Sequence, residues 1–122
     1  MAERFPAELI KGTTELLVLS LLSRGEPLHG YGILKRLREL SDDRFRMNEG
    51  ALYPLLHRLV REKKVKAATT MVGGRERKSY RLTAAGGKAL ARARSVQEDY
   101  QRFVARVLQE PEASPRSEGD HR

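Results

Sequence analysis

The sequence has no cysteine and no tryptophan, and only 6% of its 122 residues are aromatic. Without cysteine it cannot form disulfides, thiolate metal sites or a thiol nucleophile, and nothing calls for an oxidising compartment. Its longest apolar run, Leu16 to Leu22, is interrupted by Ser20 and is far too short to span a bilayer. The first residues lack the pattern of a signal peptide. These absences predict a cytoplasmic protein with no membrane segment.

Patterns typical of catalysis or metal binding are also scarce. The three histidines, His29, His57 and His121, are not followed by a second candidate ligand three or four residues later. The Gly73-Gly74 pair lacks the strand-to-helix setting of a phosphate-binding loop. We therefore expect no metal, no cofactor and no enzymatic activity.

Positive charge is concentrated in the middle of the chain. The whole sequence has 24 Lys and Arg against 16 Asp and Glu, a net charge of +8. Residues 61–82 alone hold 8 basic and 2 acidic side chains. Such a local patch indicates a polyanionic partner, because neutralised phosphates release counterions. A solvated basic face without a partner is the alternative.

Apolar spacing predicts two helices in the first forty residues. Residues 7–12 are interpreted as a lead-in, and Thr13 is predicted to cap a helix whose apolar body is residues 16–22. A second helix is predicted from about Gly30 to Leu40. Its buried stripe consists of Ile33, Leu34, Leu37 and Leu40. Its opposite face carries Tyr31, Lys35 and Arg38.

A third helix is predicted over about residues 49–63, with Asn48 as its N-cap. Before it, residues 44–47 alternate basic and apolar side chains, which predicts a short strand. The inward stripe of the helix is Leu52, Leu55, Leu56 and Leu59. Its outer face is polar and basic, and Pro54 is expected to loosen the first turn.

The next segment is predicted to form a β-hairpin over residues 65–72 and 77–82 with a glycine-hinged, cationic tip. Thr83 then caps a long helix over 84–109. One stripe of this helix has the 4-3 spacing of a helix–helix seam, and Val104 and Leu108 widen it. Its residues are Ala89, Ala93, Val96, Tyr100, Phe103, Val104 and Val107.

The last helix is about 39 Å long at 1.5 Å per residue, too long for one small core to cover. A second chain is expected to cover the remainder, the alternative being an amphipathic helix packed within the monomer. Residues 110–122 are predicted to be a disordered tail.

Three helices followed by a cationic hairpin predict a mostly α fold with a small β-hairpin, a winged helix-turn-helix with a long C-terminal dimerisation helix. The expected division is a DNA-binding domain over 1–83, a dimerisation helix over 84–109 and the tail. Four segments resemble the PadR family of transcriptional regulators: GTTELLVL at 12–19, LHGY at 28–31, GALYPLLHRL at 50–59 and YRLTAAG at 80–86.

The resemblance implies a homodimer of the short form, with one C-terminal helix. One departure concerns the end of the third helix, where the family usually has glycine and an apolar residue. Lys63 and Lys64 stand there instead, which predicts that the helix continues further. The sequence leaves open whether a small-molecule effector exists.

The leading hypothesis is a homodimeric repressor that binds an inverted-repeat operator in double-stranded DNA. Arg58 and Arg61 rank first as readers of guanine. The alternatives are a protein-interaction module that uses Tyr100 and Phe103, and an RNA-binding protein, although only Tyr80 is available on the hairpin for stacking. The candidate DNA contacts are Tyr31, Lys35, Arg38, Asn48, Gly50, Ala51, Tyr53, Pro54, His57, Arg58, Arg61, Lys64, Lys66, Arg75, Arg77 and Lys78.

Overall fold

The computed structural model describes residues 3–111, so most of the expected tail, residues 112–122, lies outside the described residues. Four helices and three strands follow one another along the chain. They are α1 (Ala7–Leu22), β1 (Leu28–His29), α2 (Gly30–Leu40), α3 (Glu49–Arg61), β2 (Val65–Val72), β3 (Arg75–Leu82) and α4 (Ala84–Gln109). The bounds of α2 and α4 agree with those expected from the sequence.

One core joins these elements. Leu19 of α1, Ile33 of α2, Leu56 of α3 and Tyr80 of β3 are almost completely buried within it, and Leu90 of α4 packs at its edge. The predicted stripe of α2 is correct except at its end, since Leu40 is 56% exposed. The core therefore covers α1 to α3 and the base of the sheet, but only the beginning of α4.

The sheet is antiparallel in the order β1-β3-β2. The hairpin register pairs Val65 with Leu82 and Ala67 with Tyr80. The two-residue strand β1, which the sequence did not predict, pairs Leu28 with Tyr80. It is too short to show a period of its own and exists only because β3 provides a partner.

The predicted N-cap of α1 at Thr13 is wrong, because the N-cap is Pro6, seven residues earlier, and the helix begins at Ala7. Pro6 lies at the N-cap position with φ −63°, and its carbonyl accepts hydrogen bonds from Leu9 and Ile10 at 3.0 and 3.2 Å. The Thr13 hydroxyl does not cap the helix but donates back to the Leu9 carbonyl at 3.1 Å.

The strand predicted at residues 44–47 is also wrong, because this segment is an irregular connection. Asp42 and Asp43 precede it with positive φ values of 53° and 69°. The amide of Phe45 donates to the Ser41 hydroxyl at 2.9 Å, which turns its ring into the core. The apolar alternation therefore reflects the burial of Phe45 and partial burial of Met47, not strand pairing.

The third helix does not continue through Lys63 as predicted but ends at Arg61. Lys63 adopts the left-handed conformation, with φ +62°, that glycine usually supplies. The Lys63 amide donates to Val60 at 3.0 Å and the Lys64 amide to Leu59 at 2.9 Å, a Schellman motif. The motif forms without glycine, at an expected cost of about 1 kcal/mol in backbone strain.

The start of α4 is fixed against the end of α3. The Thr83 hydroxyl accepts a hydrogen bond from the Gly86 amide at 2.9 Å, as the predicted cap requires, and itself donates to the Lys63 carbonyl at 2.6 Å. A Cβ at Gly86 would lie 2.0 Å from the Lys64 carbonyl oxygen. Glycine is therefore required for α4 to approach this closely.

Candidate nucleic-acid interface

The outward face of α3 is set by its cap and its buried stripe. The Asn48 side chain accepts a hydrogen bond from the Ala51 amide at 2.9 Å, which confirms the predicted N-cap. Leu52, Leu56 and Leu59 turn inward and are buried, whereas Leu55 is only half-buried. The exposed side is formed by Gly50, Ala51, Pro54, His57 and Arg61. The helix is continuous through Pro54.

Tyr53 joins the exposed face of α3 to the beginning of α2. A Cβ on Gly30 would lie only 2.3 Å from the Tyr53 hydroxyl oxygen. Gly30 therefore makes room for the tyrosine, which is half-buried. Tyr31 follows on α2 and is 58% exposed, and Lys35 and Arg38 are exposed on the same helix.

A basic crevice separates the start of α3 from α2. Its lining includes Tyr31, Arg38 and Asn48, together with Arg4 and Arg46. Arg4 and Arg46 could not be predicted from helical spacing, because they precede regular elements and belong to no helical face.

Arg46 also forms an ion pair with Asp43. Its hydrogen bond to that carboxylate lowers the pKa of Asp43. Among residues 3–111, Arg46 of this crevice is ion-paired, whereas Arg4 and Arg38 form no salt bridge.

A second crevice brings α3 against the hairpin. Its lining includes Tyr53 and His57 of α3 and Glu76 and Lys78 of β3, and Arg77 also borders it. Nearby, His29 Nδ1 lies 3.0 Å from the Lys78 carbonyl oxygen, which holds β1 beside β3. We call the side of the hairpin that carries Glu76 and Lys78 its inner side. This side continues the surface that α3 exposes.

Arg58 has a different environment, because it forms ion pairs with two carboxylates. Its Nη2 lies 2.7 Å from Oε1 of Glu15 on α1, and its Nη1 lies 3.1 Å from Oε2 of Glu62. Lys64 Nζ completes the cluster, 3.0 Å from Glu62 and 3.3 Å from Glu15. We call these four residues the α1–α3 ion cluster. Two residues expected to contact DNA, Arg58 and Lys64, thus already have anionic partners.

The pKa values of the cluster follow its geometry. Partial burial raises the pKa of Glu15, but the hydrogen bonds from Arg58 and Lys64 outweigh it, and the net pKa lies below the ordinary value. The hydrogen bond from Lys64, followed by that from Arg58, lowers the pKa of Glu62. All four groups are therefore charged at neutral pH. The sequence could not reveal the cluster because Glu15 and Arg58 are 43 residues apart.

The remaining predicted contacts lie on the hairpin. Strand alternation places Lys66, Arg75 and Arg77 on the side opposite Lys78, and Arg77 also borders the crevice against α3. The three basic residues expected together at the tip are therefore divided between two faces of the sheet.

The seam residues of α4 also fall into two groups. Ala89 and Ala93 are half-buried near the core, as is Val104 further along the helix. The more exposed group is Val96 at 62%, Tyr100 at 60%, Phe103 at 51% and Val107 at 56%. The rings of Tyr100 and Phe103 lie with centroids 6.0 Å apart. The far half of α4 thus presents an apolar stripe that nothing in residues 3–111 covers.

The described residues show neither a cluster of three or more His, Asp or Glu side chains suited to a metal ion nor a helix with the length and apolarity needed to cross a membrane.

The model of the PadR-like transcriptional regulator family matches residues 18–92, more than half of the chain. The protein belongs to the PadR-like family. The family resemblance seen in the sequence is thereby confirmed. Over 67 residues the PadR-like chain is 40% identical to the transcriptional regulator Rv3488 of Mycobacterium tuberculosis, and the match covers 55% of this chain and 63% of that protein.

Solved structures show the same architecture. A transcriptional regulator from Clostridium thermocellum superposes with a TM-score of 0.77 at 25% identity, over 84% of this chain and all of that one. The PadR-like regulator of Bacillus cereus gives 0.75 at 26%, over 86% and all of the two chains. A PadR family regulator from Eggerthella lenta gives 0.76 at 30%, over 85% and 88%. The predicted winged helix with a long C-terminal helix is confirmed.

Proposed function

We propose that this PadR-like chain is a homodimeric repressor that binds an inverted-repeat operator in double-stranded DNA. The observation that carries the proposal is the continuous exposed surface formed by α3, the start of α2 and the inner side of the hairpin. An exposed third helix of a winged helix-turn-helix fits the major groove, and the flanking basic side chains fit phosphates.

Arg61 is the strongest candidate for reading a base. It is exposed near the C-terminal end of α3, and within residues 3–111 no carboxylate forms an ion pair with it. Gly50 and Ala51 have small side chains that allow the helix to approach the groove, and Tyr53 and His57 add polar contacts beside them. We expect an arginine in this position to bond to guanine O6 and N7.

Phosphate contacts are proposed for the residues around α3. Tyr31 and Arg38 of α2 line the basic crevice together with Arg46, and Lys35 is exposed on the same helix. Lys78 extends the surface on the hairpin. These groups would position the duplex without reading its sequence.

The dimer is proposed from the uncovered stripe of α4. A two-fold pair of these helices would bury Val96, Tyr100, Phe103 and Val107 against their counterparts, at about 25 cal/mol for each Å² of apolar surface removed from water. In this arrangement residues 84–109 form the dimerisation helix and residues 1–83 the DNA-binding domain. Repression requires no further chemistry, because a dimer that occupies a promoter excludes polymerase.

The test is a gel shift with DNA from upstream of the protein's own gene, with and without heparin, followed by footprinting. We expect protection of two symmetric half-sites centred about 10 bp apart, or a multiple of that. A footprint on one asymmetric half-site would contradict the proposed dimer.

Specificity is tested by Arg61→Ala on operator and scrambled DNA. The expected loss is about 1 to 3 kcal/mol on the operator with little change on scrambled DNA. Equal losses on both would show that Arg61 only anchors phosphate. Lys78→Ala is the comparison, with similar losses on both DNAs and a salt dependence lowered by about one unit.

A further inference from the structure

The hairpin has a second cationic surface on the side that faces away from α3. The inner side is formed by Val65, Ala67, Tyr80 and Leu82, which are buried or half-buried against the helices. We call the opposite side the outer wing face. The cross-strand pairs on it are Lys66–Arg81, Ala68–Ser79, Thr70–Arg77 and Val72–Arg75.

The charge of the outer wing face is not compensated. Four of its eight side chains are basic, and each of the four is exposed. The single acidic residue of β2 and β3, Glu76, lies on the inner side opposite Met71. Within the described part of the chain, none of the four basic residues forms an ion pair with a carboxylate. Four like charges on one small sheet repel each other unless an anion binds.

The arrangement of these charges fits a chain of phosphates better than a single anion. Arg75, Arg77 and Arg81 lie on the same face of β3, and their Cα atoms span about 20 Å at roughly 3.4 Å per residue. The sheet surface between these arginines is not blocked by bulky groups, because Ala68 and Ser79 have short side chains. A polyphosphate backbone can therefore lie close to the sheet along its length.

The same face favours a duplex over a single strand. Single-stranded nucleic acids are held largely by stacking of bases on exposed aromatic rings. The eight residues of the outer wing face include no aromatic side chain. Backbone contact without stacking is the mode by which proteins bind duplex DNA independently of its sequence.

We propose that the outer wing face binds a second segment of duplex DNA while α3 holds the operator. The proposal rests on the proposed function for its first duplex, and it assigns the outer face to a different one because the two sides of the sheet point in opposite directions. Lys66 and Arg81 carry this assignment, since they form the cross-strand pair farthest from the tip that a duplex on α3 would contact. Each dimer would then hold two DNA segments together.

The experiment measures capture of the second duplex by full-length protein. An operator duplex is immobilised by one end and saturated with protein, unbound protein is washed away, and a fluorescent duplex of unrelated sequence is then added at low and at physiological salt. We expect wild-type protein to retain the fluorescent duplex, more strongly at low salt. Operator affinity is measured separately by fluorescence anisotropy.

The decisive variant is Arg81→Glu. The new carboxylate faces Lys66 across the strands, so the hairpin keeps a favourable pair and its fold. The outer face loses one cation and gains one anion, which pairs with Lys66, and we expect retention of the second duplex to fall about tenfold, on a scale of a few-fold for each phosphate contact. Operator affinity should stay within about twofold. Arg94→Glu, the same charge change on an exposed position of α4, should change neither quantity.

Several outcomes would overturn the proposal. Wild-type protein that retains no second duplex would do so, as would retention by Arg81→Glu equal to that of wild type. A parallel loss of operator affinity would show that the outer face belongs to the operator interface. Preferential retention of labelled RNA would identify an RNA surface instead.

Two further measurements keep the test decisive. If circular dichroism shows that Arg81→Glu is unfolded, Arg81→Gln replaces it, with an expected loss of about threefold. If no operator binding is found at all, the proposed function fails by itself. The outer face is then judged from the affinity of free protein for unrelated duplex, which Arg81→Glu should still lower.

Discussion

Removing the guanidinium of Arg58 distinguishes between two roles for this side chain, a contact to DNA and a tie between α3 and α1. The structure supports the tie, because Arg58 contacts Glu15 at 2.7 Å and Glu62 at 3.1 Å. The side chains of Arg58 and Glu15 are 40% and 33% exposed, so solvent screens the pair to an intermediate degree. We therefore place its value near the upper end of surface ion pairs, well below that of fully buried ones.

Each ion pair lost in Arg58→Ala is worth about 0.5 kcal/mol, and the loss of the packed aliphatic stem adds a similar amount. The expected decrease in the free energy of unfolding is about 1 to 1.5 kcal/mol. Operator and scrambled DNA should both bind within about threefold of wild type. Arg36→Ala is the matched control, because Arg36 pairs with Glu39 at 3.6 Å on an exposed helix face and should contribute less than about 0.5 kcal/mol.

The assay is urea denaturation at one protein concentration, since a dimer's stability depends on concentration. A double-mutant cycle with Glu15→Gln should give a coupling energy of about 0.5 to 1 kcal/mol. The folded-state pKa of Glu15 is lowered, so its contribution is present above the unfolded carboxyl pKa and is lost as pH falls through the folded value. The difference between wild type and Glu15→Gln should therefore shrink below about pH 4.5. Zero coupling together with a selective loss of operator affinity would refute the tie and restore Arg58 as a base reader.

Three other predictions concern backbone and seam. Gly86→Ala should destabilise the fold by about 1 to 3 kcal/mol in thermal denaturation, because its Cβ would clash with the Lys64 carbonyl. Gly87→Ala should be neutral or stabilising in the same assay, because the nearest atom to its Cβ is 4.0 Å away. Lys63→Gly should raise the free energy of unfolding by about 1 kcal/mol, and an unchanged value would mean that the left-handed residue is unstrained. Phe103→Glu should convert the proposed dimer to monomer in sedimentation at micromolar concentration, while Ala105→Glu on the exposed side should not. A dimeric Phe103→Glu protein would rule out the seam.

Local chemistry predicted much of this fold. The caps at Asn48 and Thr83 were expected from residue type alone, and both form within 2.9 Å. The hairpin followed from alternation around a glycine pair, which lies in left-handed conformation at 59° and 80°. These features depend on neighbours in sequence, which a single chain displays directly.

The errors arose where distant residues or backbone strain decide the structure. β1 exists because Tyr80 and Ser79 pair with it from far along the chain. The end of α3 was missed because Lys63 adopts a left-handed backbone conformation that is unfavourable for residues other than glycine. The candidate site shows the same limit. Helical spacing placed Arg58 on an outer face but could not show that Arg58 forms an ion pair there with Glu15.

The junction of α3 and α4 has a consequence for the DNA that a dimer can accept. Thr83 donates hydrogen bonds to the carbonyls of Lys63 and Lys64 at 2.6 and 3.1 Å, so the end of α3 is tied to the start of α4. In the proposed dimer α4 then acts as a lever arm of about 39 Å. A rotation of about 5° at its far end displaces α3 by about 3 Å, close to one base-pair step of roughly 3.4 Å. The number of base pairs between half-sites would therefore be chosen by side chains such as Val107, which never touch the DNA.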